Sequence, residues 1–178
     1  MKPSGIITTP RIPILVVGVG NLLMGDDGVG VHAVQLLQAN HAQPGVVFID
    51  AGTAILSVLG EIERADRLLL IDVIQTGAAP GTLHQLRGDE VAPPRTPRSL
   101  HEYGVGHVLA QISPDLRPSE ILVIGVEPAV FDFGGALSRP VREALPRLVK
   151  LATGRVAHWQ AEPLHSREQK PRDLELIS

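Results

Sequence analysis

Five residues stand out among those whose side chains can bind a metal ion or move a proton, because most of the five follow apolar runs. They are Asp26, Asp27, Asp50, Asp72 and His101. In a parallel sheet the carboxyl ends of the strands meet at one edge, so we expect these side chains to converge there. Carboxylate oxygens combined with an imidazole nitrogen favour a first-row divalent metal over Mg²⁺ or Ca²⁺, which prefer all-oxygen shells.

Some of these residues also have a purely structural explanation. Asp26 could cap the helix that begins near Gly28. Asp50, which is followed by Gly52 and Thr53, could form a turn or a cap. The alternative is that they line the substrate site, and the candidate substrate-binding positions are therefore Asp26, Asp50, Gly52 and Thr53.

Asp72 is harder to explain by structure alone, because it lies between Ile71 and Val73 near the end of an apolar run. A carboxylate in such a place requires a cation, a metal or several hydrogen-bond donors. His101 lies in the first turn of a predicted helix, where the dipole favours the neutral imidazole that ligates metals. Glu127 follows the last apolar run, at the same edge. The remaining histidines are expected to be structural or at the surface: His32, His41, His84, His107, His158 and His165.

The turn in VVGVGNLLMGDDGVG, residues 16–30, only partly fits a dinucleotide-binding loop. Gly18 and Gly20 match the G-x-G-x-x-G pattern, but Leu23 stands at the third glycine position. Asp26 and Asp27 would also repel a pyrophosphate, and no Lys or Arg lies near them in the sequence. This turn is therefore better suited to attract a cation.

Short, nearly all-apolar runs at residues 12–18, 46–50, 68–73 and 121–126 predict parallel strands covered on both faces. Residues 82–87 alternate between apolar and polar and predict an edge strand. Helical patterns occupy residues 30–40, 54–63, 100–112 and 140–151, the third beginning at a capping box formed by Ser99 and Glu102. The order of these elements predicts an α/β three-layer sandwich with helices on both faces of a five-stranded sheet.

We expect one domain over residues 1–178, with its core at about residues 12–153. Residues 88–98 contain three prolines and predict a loop. Residues 165–178 are polar and charged, which predicts a flexible tail.

Composition excludes several classes of function. The net charge is −3 and no block of Lys or Arg occurs, which disfavours nucleic acid as a partner. No apolar stretch approaches the length needed to cross a bilayer, and the N-terminal run lacks a signal-peptide cleavage pattern. The absence of cysteine excludes disulfides, thiolate nucleophiles and cysteine metal sites. We expect a monomeric, cytoplasmic protein without membrane attachment.

Six segments occur in register along residues 12–151: GVGNLLMGDDGVG, IDAGTA, LLLIDVI, APGTLHQLR, SLHEYGVGHVL and ILVIGVEP. Together they resemble the nickel–iron hydrogenase maturation endopeptidases. The resemblance implies a twisted, mostly parallel sheet. It also implies a protease that removes a short C-terminal extension from the hydrogenase large-subunit precursor once nickel has been inserted.

The resemblance further implies which residues contact nickel: the second acid of a D-[DE]-G element, an aspartate ending the third strand, and a histidine before the next helix. These correspond to Asp27, Asp72 and His101, which would be both catalytic and metal-contacting. Many members carry Glu at the position of Asp27, one methylene longer, so Asp26 stays open as the ligand.

The hypothesis is that nickel arrives with the substrate and that the protein has no tightly bound cofactor of its own. Nickel could polarise the scissile carbonyl or a water, or a carboxylate could act as general base. Without Cys, and without Ser in a G-x-S-x-G setting, a covalent acyl-enzyme is disfavoured. The alternatives are a hydrolase with a resident metal, a nucleotide-binding module and a nickel chaperone that cuts nothing.

Overall fold

The computed structural model describes residues 10–91 and 105–162. In chain order, these residues form β1 (Ile12–Val19), α1 (Val29–His41), β2 (Val46–Gly52), α2 (Leu59–Arg64), β3 (Ala65–Val73), β4 (Leu83–Arg87), α3 (Val105–Gln111), β5 (Glu120–Val126) and α4 (Arg139–Ala161). Single 3₁₀ turns, Gly25–Gly28 and Ile55–Val58, lead into α1 and α2. Each strand predicted from an apolar or alternating run is present, within a few residues of its expected ends.

The strands form one sheet in the order β2-β1-β3-β5-β4. β1 pairs in parallel with β2 and β3, and β3 pairs in parallel with β5. β4 runs antiparallel to β5 at the edge of the sheet, and its side chains are partly exposed, as its alternating sequence predicts. The predicted mostly parallel sheet is confirmed, and the carboxyl ends of β1, β3 and β5 lie side by side.

Two separate apolar clusters cover the two faces of this sheet. On one face α1 and α4 bury Leu37 and Trp159 against the strands. On the other face the second 3₁₀ turn, α2 and α3 contribute Ile62 and Val108. Because β1 and β3 are covered on both sides, their side chains are buried almost without alternation. The predicted three-layer sandwich is therefore confirmed.

Glycines bring α1 unusually close to the ends of β1 and β3. A Cβ on Gly30 would collide with the carbonyl oxygens of Val19 and Ile71, and a Cβ on Gly18 would collide with that of Gly30. Only glycine allows the backbone of α1 to lie directly on the two strands. This contact fixes the turn before α1, and with it Asp27, against the end of β3.

The last helix is longer than the sequence pattern predicts. It was expected at residues 140–151, but α4 continues to Ala161 and Gly154 does not end it. The reason is that an apolar stripe continues at helical spacing through the buried residues Leu148, Ala152, Val156 and Trp159. Pro140 lies in the first turn of α4, as expected.

Several expectations fall outside the described residues: the capping box at Ser99 and Glu102, most of the proline loop, and the tail at residues 165–178. Of α3, the described part begins at Val105. Within residues 10–91 and 105–162, every helix is too short or too polar to cross a bilayer.

Gly30→Ala is expected to destabilise the fold by about 2–3 kcal/mol or to prevent folding, because the added Cβ meets backbone oxygens that cannot move aside. Gly154→Ala in α4 is the matched control. A Cβ there has no neighbour within 4 Å, so this variant should gain about 0.5–1 kcal/mol from helix propensity. Thermal or urea unfolding of both variants measures the difference, and equal stabilities would contradict the proposed close contact.

Candidate functional site

Asp27 and Asp72 both lie at the carboxyl edge of the sheet. Asp27 belongs to the 3₁₀ turn Gly25–Gly28 and is 4% exposed. Its Oδ2 accepts a hydrogen bond from the backbone N–H of Asn21 at 2.7 Å. Asp72 is the penultimate residue of β3, and its Oδ1 accepts the backbone N–H of Val73 at 2.8 Å.

The pKa of Asp72 shows that these two carboxylates interact. Burial raises the pKa of Asp72 from 3.8 to about 8; the hydrogen bond from Val73 opposes that rise, and the negative charge of Asp27 adds to it. A carboxylate that is costly to ionise beside another carboxylate is a site that a cation would stabilise. The structure therefore brings two members of the predicted trio together.

His101, the third member of the predicted trio, lies outside the described residues. Among residues 10–91 and 105–162, no three His, Asp or Glu side chains are grouped closely enough to hold a metal ion. Whether His101 completes a site with Asp27 and Asp72 therefore stays a prediction.

Asp26 has a different role from Asp27, although both side chains are buried. Its carboxylate accepts backbone N–H groups from Ala129 and Val130 on Oδ2, at 2.7 and 2.9 Å, and from Ser138 on Oδ1, at 2.7 Å. It does not cap α1, because neither the 3₁₀ turn nor α1 has a side-chain capping bond. The structure shows instead that Asp26 holds the loop at residues 127–138, which joins β5 to α4. Both of its oxygens face that loop, which favours Asp27 as the ligand.

Asp50 matches its structural explanation. Its Oδ1 accepts the backbone N–H of Gly52 at 2.9 Å, which closes a short turn at the end of β2, and its Oδ2 accepts the side-chain amide of Gln35 at 3.0 Å. Asp50 and Thr53 are exposed at this edge and Gly52 is half-buried. A contact between substrate and Asp50, Gly52 or Thr53 stays a prediction.

Glu127, which follows β5, binds the segment after β3 through several hydrogen bonds. Its carboxylate accepts the backbone N–H and the hydroxyl of Thr76, each as close as 2.9 Å, and the backbone N–H of Gly77 at 3.0 Å. His84 Nε2 lies 3.0 Å from Oε2 of Glu127. Glu127 thus anchors the segment that follows β3. His84 was expected to be structural or at the surface, and the structure shows that it has a carboxylate partner that the sequence did not indicate.

The pKa of Glu127 is shifted in the opposite direction to that of Asp72. Burial by itself raises the pKa of Glu127, but the hydrogen bonds from Thr76, Gly77 and His84 outweigh it and hold the pKa at about 2. Glu127 is therefore ionised at neutral pH and serves as a fixed acceptor, whereas Asp72 is set up to respond to a cation.

The glycine turn after β1 is explained by packing. Gly20 has a positive φ of 137°, and a Cβ there would collide with the carbonyl oxygen of Asp27. The N–H of Gly20 also donates to the carbonyl oxygen of Gly52 at 2.9 Å, which ties the turn to the end of β2. Close contact between backbone segments thus accounts for the glycine that resembled part of a phosphate-binding loop.

A family model and several known proteins that resemble this chain all point to the same family. The family described as "HycI: Hydrogenase maturation protease" matches residues 31–155. The chain is 41% identical over 146 residues to hydrogenase expression/formation protein HupM of Azotobacter chroococcum, a match that covers 78% of this chain and 69% of that protein. It is 35% identical over 119 residues to hydrogenase 2 maturation protease of Escherichia coli, which covers 65% of this chain and 73% of that protein.

Solved structures give the same result at the level of the fold. The hydrogenase maturating endopeptidase HybD from Escherichia coli superposes with a TM-score of 0.75 at 29% identity, covering 82% of this chain and 93% of that one. The hydrogenase maturation protease HycI from Thermococcus kodakarensis has a TM-score of 0.69 at 23% identity, with 81% and 92% covered, and shares the fold.

Asp26→Asn is expected to lower the free energy of unfolding by about 2–3 kcal/mol, because an amide N–H₂ would face backbone N–H donors that need an acceptor. Asp50→Asn is the control, since Asp50 is exposed and should lose less than about 1 kcal/mol. Chemical denaturation of both variants measures the difference. Equal losses would show that Asp26 does not anchor the loop.

Glu127 is expected to make the fold acid-sensitive between pH 4.5 and 2. Its folded-state pKa of about 2 lies below the ordinary value of 4.5, so its contribution to stability is present above pH 4.5. That contribution is lost as the pH falls towards 2. Glu127→Gln should lower stability at pH 7 and flatten the acid limb of the stability profile. A variant with an unchanged profile from pH 7 to pH 2 would contradict this assignment.

Proposed function

Because the chain belongs to the hydrogenase maturation protease family and is therefore a peptidase, we propose that it removes a C-terminal extension from the large-subunit precursor of a nickel–iron hydrogenase. The observation that carries the proposal is the pair Asp27 and Asp72 at the carboxyl edge of the sheet. Burial is the main cause of the raised pKa of Asp72, and the negative charge of Asp27 adds to it. Such a pair suits a positively charged centre supplied from outside.

That centre is the nickel of the substrate. Asp27 and Asp72 supply carboxylate oxygens, and His101 supplies a neutral imidazole nitrogen, directly or through water. This donor set suits a first-row divalent metal. Because the nickel is cargo of the precursor, the protein needs no tightly bound metal of its own.

The reaction is hydrolysis of one peptide bond. The oxygen of a water attacks the scissile carbonyl carbon, the C–N bond breaks, and the proton released by the water passes to the leaving amine. A nickel ion close to that carbonyl would polarise it and favour loss of the water proton. A carboxylate of the pair is suited to accept this proton, because carboxylates act as general bases in hydrolysis.

The same arrangement accounts for selection of mature cargo. A precursor without nickel would bring no positive charge to Asp27 and Asp72, so it would lack the attraction that a nickel-loaded precursor gains at this pair. Nickel therefore acts as the test that insertion is complete. The monomeric state and the cytoplasmic location expected from the sequence stay predictions.

The decisive experiment is incubation of the purified protein with full-length precursor, nickel-loaded or nickel-free, followed by mass determination of the product. We expect loss of a C-terminal peptide from the nickel-loaded precursor alone. A precursor whose mass never changes would indicate a nickel chaperone. Cleavage of both forms by a protein that holds stoichiometric metal as purified would indicate a hydrolase with a resident metal.

Asp72→Asn and His101→Ala are each expected to lower the rate of precursor processing at least 100-fold, because each variant removes one of the groups that contact nickel. The control is Glu143→Gln, an exposed carboxylate on α4 paired with Arg139, which should leave the rate unchanged. Circular dichroism confirms the fold of each variant. Normal processing by folded Asp72→Asn protein would refute the proposed site.

Asp72→Asn is also expected to stabilise the protein at pH 8. The folded-state pKa of Asp72 is above its ordinary value of 3.8, so its contribution to stability is full below pH 3.8 and is lost as the pH rises towards about 8. Removing the ionisable group removes that loss, a gain on the order of 1 kcal/mol. Thermal unfolding of wild type and variant at pH 5 and pH 8 measures it, and a gain that does not grow with pH would contradict the shift.

A further inference from the structure

Two neighbouring segments expose a cluster of large apolar side chains. We call Leu22, Leu23, Val130, Phe131 and Phe133 the apolar rim; the last is 80% exposed and Leu23 is 58% exposed. The rim contains five of the eight exposed large apolar residues in the described part of the chain. Exposed apolar side chains are common singly, but a concentration of them marks an interaction surface.

Hydrogen bonds hold the two segments together as one surface. The N–H of Gly134 donates to the carbonyl oxygen of Leu23 at 3.1 Å, and the N–H of Asp26 donates to that of Val130 at 3.1 Å. Gly25 has a positive φ of 56°, and a Cβ at this position would lie 3.2–3.7 Å from the carbonyl oxygens of residues 130, 132 and 136. The rim therefore has a fixed backbone.

The anchor of this surface is the carboxylate of Asp26, which is fully buried and accepts three backbone N–H groups from residues 129–138. The chain has only three Phe residues, and two of them lie on the segment that Asp26 holds. Holding the backbone of a segment that exposes aromatic side chains to water is unfavourable for the isolated protein. It favours binding, because less conformational entropy is lost when a partner covers a surface that is already ordered.

The rim continues directly into the proposed catalytic site. Asp27 directly follows Asp26, the anchor of the rim. Asn21, which precedes Leu22 and Leu23 in the same turn, donates its backbone N–H to the carboxylate of Asp27. A polypeptide that brings its scissile bond to Asp27 and Asp72 therefore passes beside the rim. A second copy of this chain seated on the rim would obstruct that approach.

We propose that the apolar rim is the docking surface for the hydrogenase large-subunit precursor and receives apolar side chains next to its scissile bond. This inference rests on the proposed function, because the partner is the same substrate. Residues 20–30 and 127–138 contain no Lys or Arg, which disfavours an anionic membrane surface as the occupant. The rim contributes binding affinity for the precursor, whereas Asp27 and Asp72 take part in hydrolysis of the peptide bond.

The test compares the double variant Leu23→Ser/Phe133→Ser with the double variant Leu36→Gln/Val47→Thr. The control removes two apolar side chains that are also exposed, at 42% and 38%, from α1 and β2 outside the rim. We measure the Kd of nickel-free full-length precursor by calorimetry, and KM and kcat with nickel-loaded precursor. We expect the rim variant to raise Kd and KM about tenfold or more, with kcat within about twofold of wild type. The control should match wild type.

Equal Kd values for wild type, rim variant and control would overturn the inference, even if the wild type cleaves the precursor normally. If the wild type binds precursor through the rim but cleaves nothing, the proposed function fails and the docking surface stands. A wild-type dimer that the rim variant converts to monomer, with unchanged affinity for precursor, would assign the rim to a second copy. Phe133→Ser alone repeats the binding test if the double variant loses its fold.

Discussion

The carboxyl edge of the sheet depends on buried carboxylates that accept backbone N–H groups. A loop that leaves a buried strand carries N–H groups that must find acceptors. Asp26 accepts three of them from the loop before α4, and Glu127 accepts those of Thr76 and Gly77 after β3. Together with backbone hydrogen bonds such as that from the N–H of Asp26 to Val130, these two acceptors fix the segments that border the site relative to the strands.

Three of the carboxylates along this edge, Asp26, Glu127 and Asp72, fall into two kinds according to their surroundings. Asp26 and Glu127 accept several hydrogen bonds and complete the fold. Asp72 accepts one bond from Val73, and burial together with the charge of Asp27 raises its pKa to about 8. The number of hydrogen-bond donors around a carboxylate sets the direction of its pKa shift: several donors hold the pKa of Glu127 low, whereas burial with a single donor raises that of Asp72.

The sheet could be predicted because strands covered on both faces leave nearly uninterrupted apolar runs, and Asp72 could be identified because it interrupts one of them. Asp26 could not be assigned from sequence, since its hydrogen-bond partners are backbone groups 103 to 112 residues away. The pairing of His84 with Glu127 depends in the same way on the antiparallel register of β4 and β5. The helical pattern at residues 140–151 predicts too short a helix, because the apolar stripe continues past Gly154 and extends α4 to Ala161. The predicted place of His101 lies outside the described residues.

The attachment of residues 129–138 to Asp26 uses main-chain N–H groups only. An amide proton is present at every position except proline, so most side chains of that segment can be exchanged without loosening its attachment. A protease built in this way can acquire a preference for a new precursor by substitutions at positions such as Phe131 and Phe133. Its hydrolytic residues would keep their geometry throughout such a change.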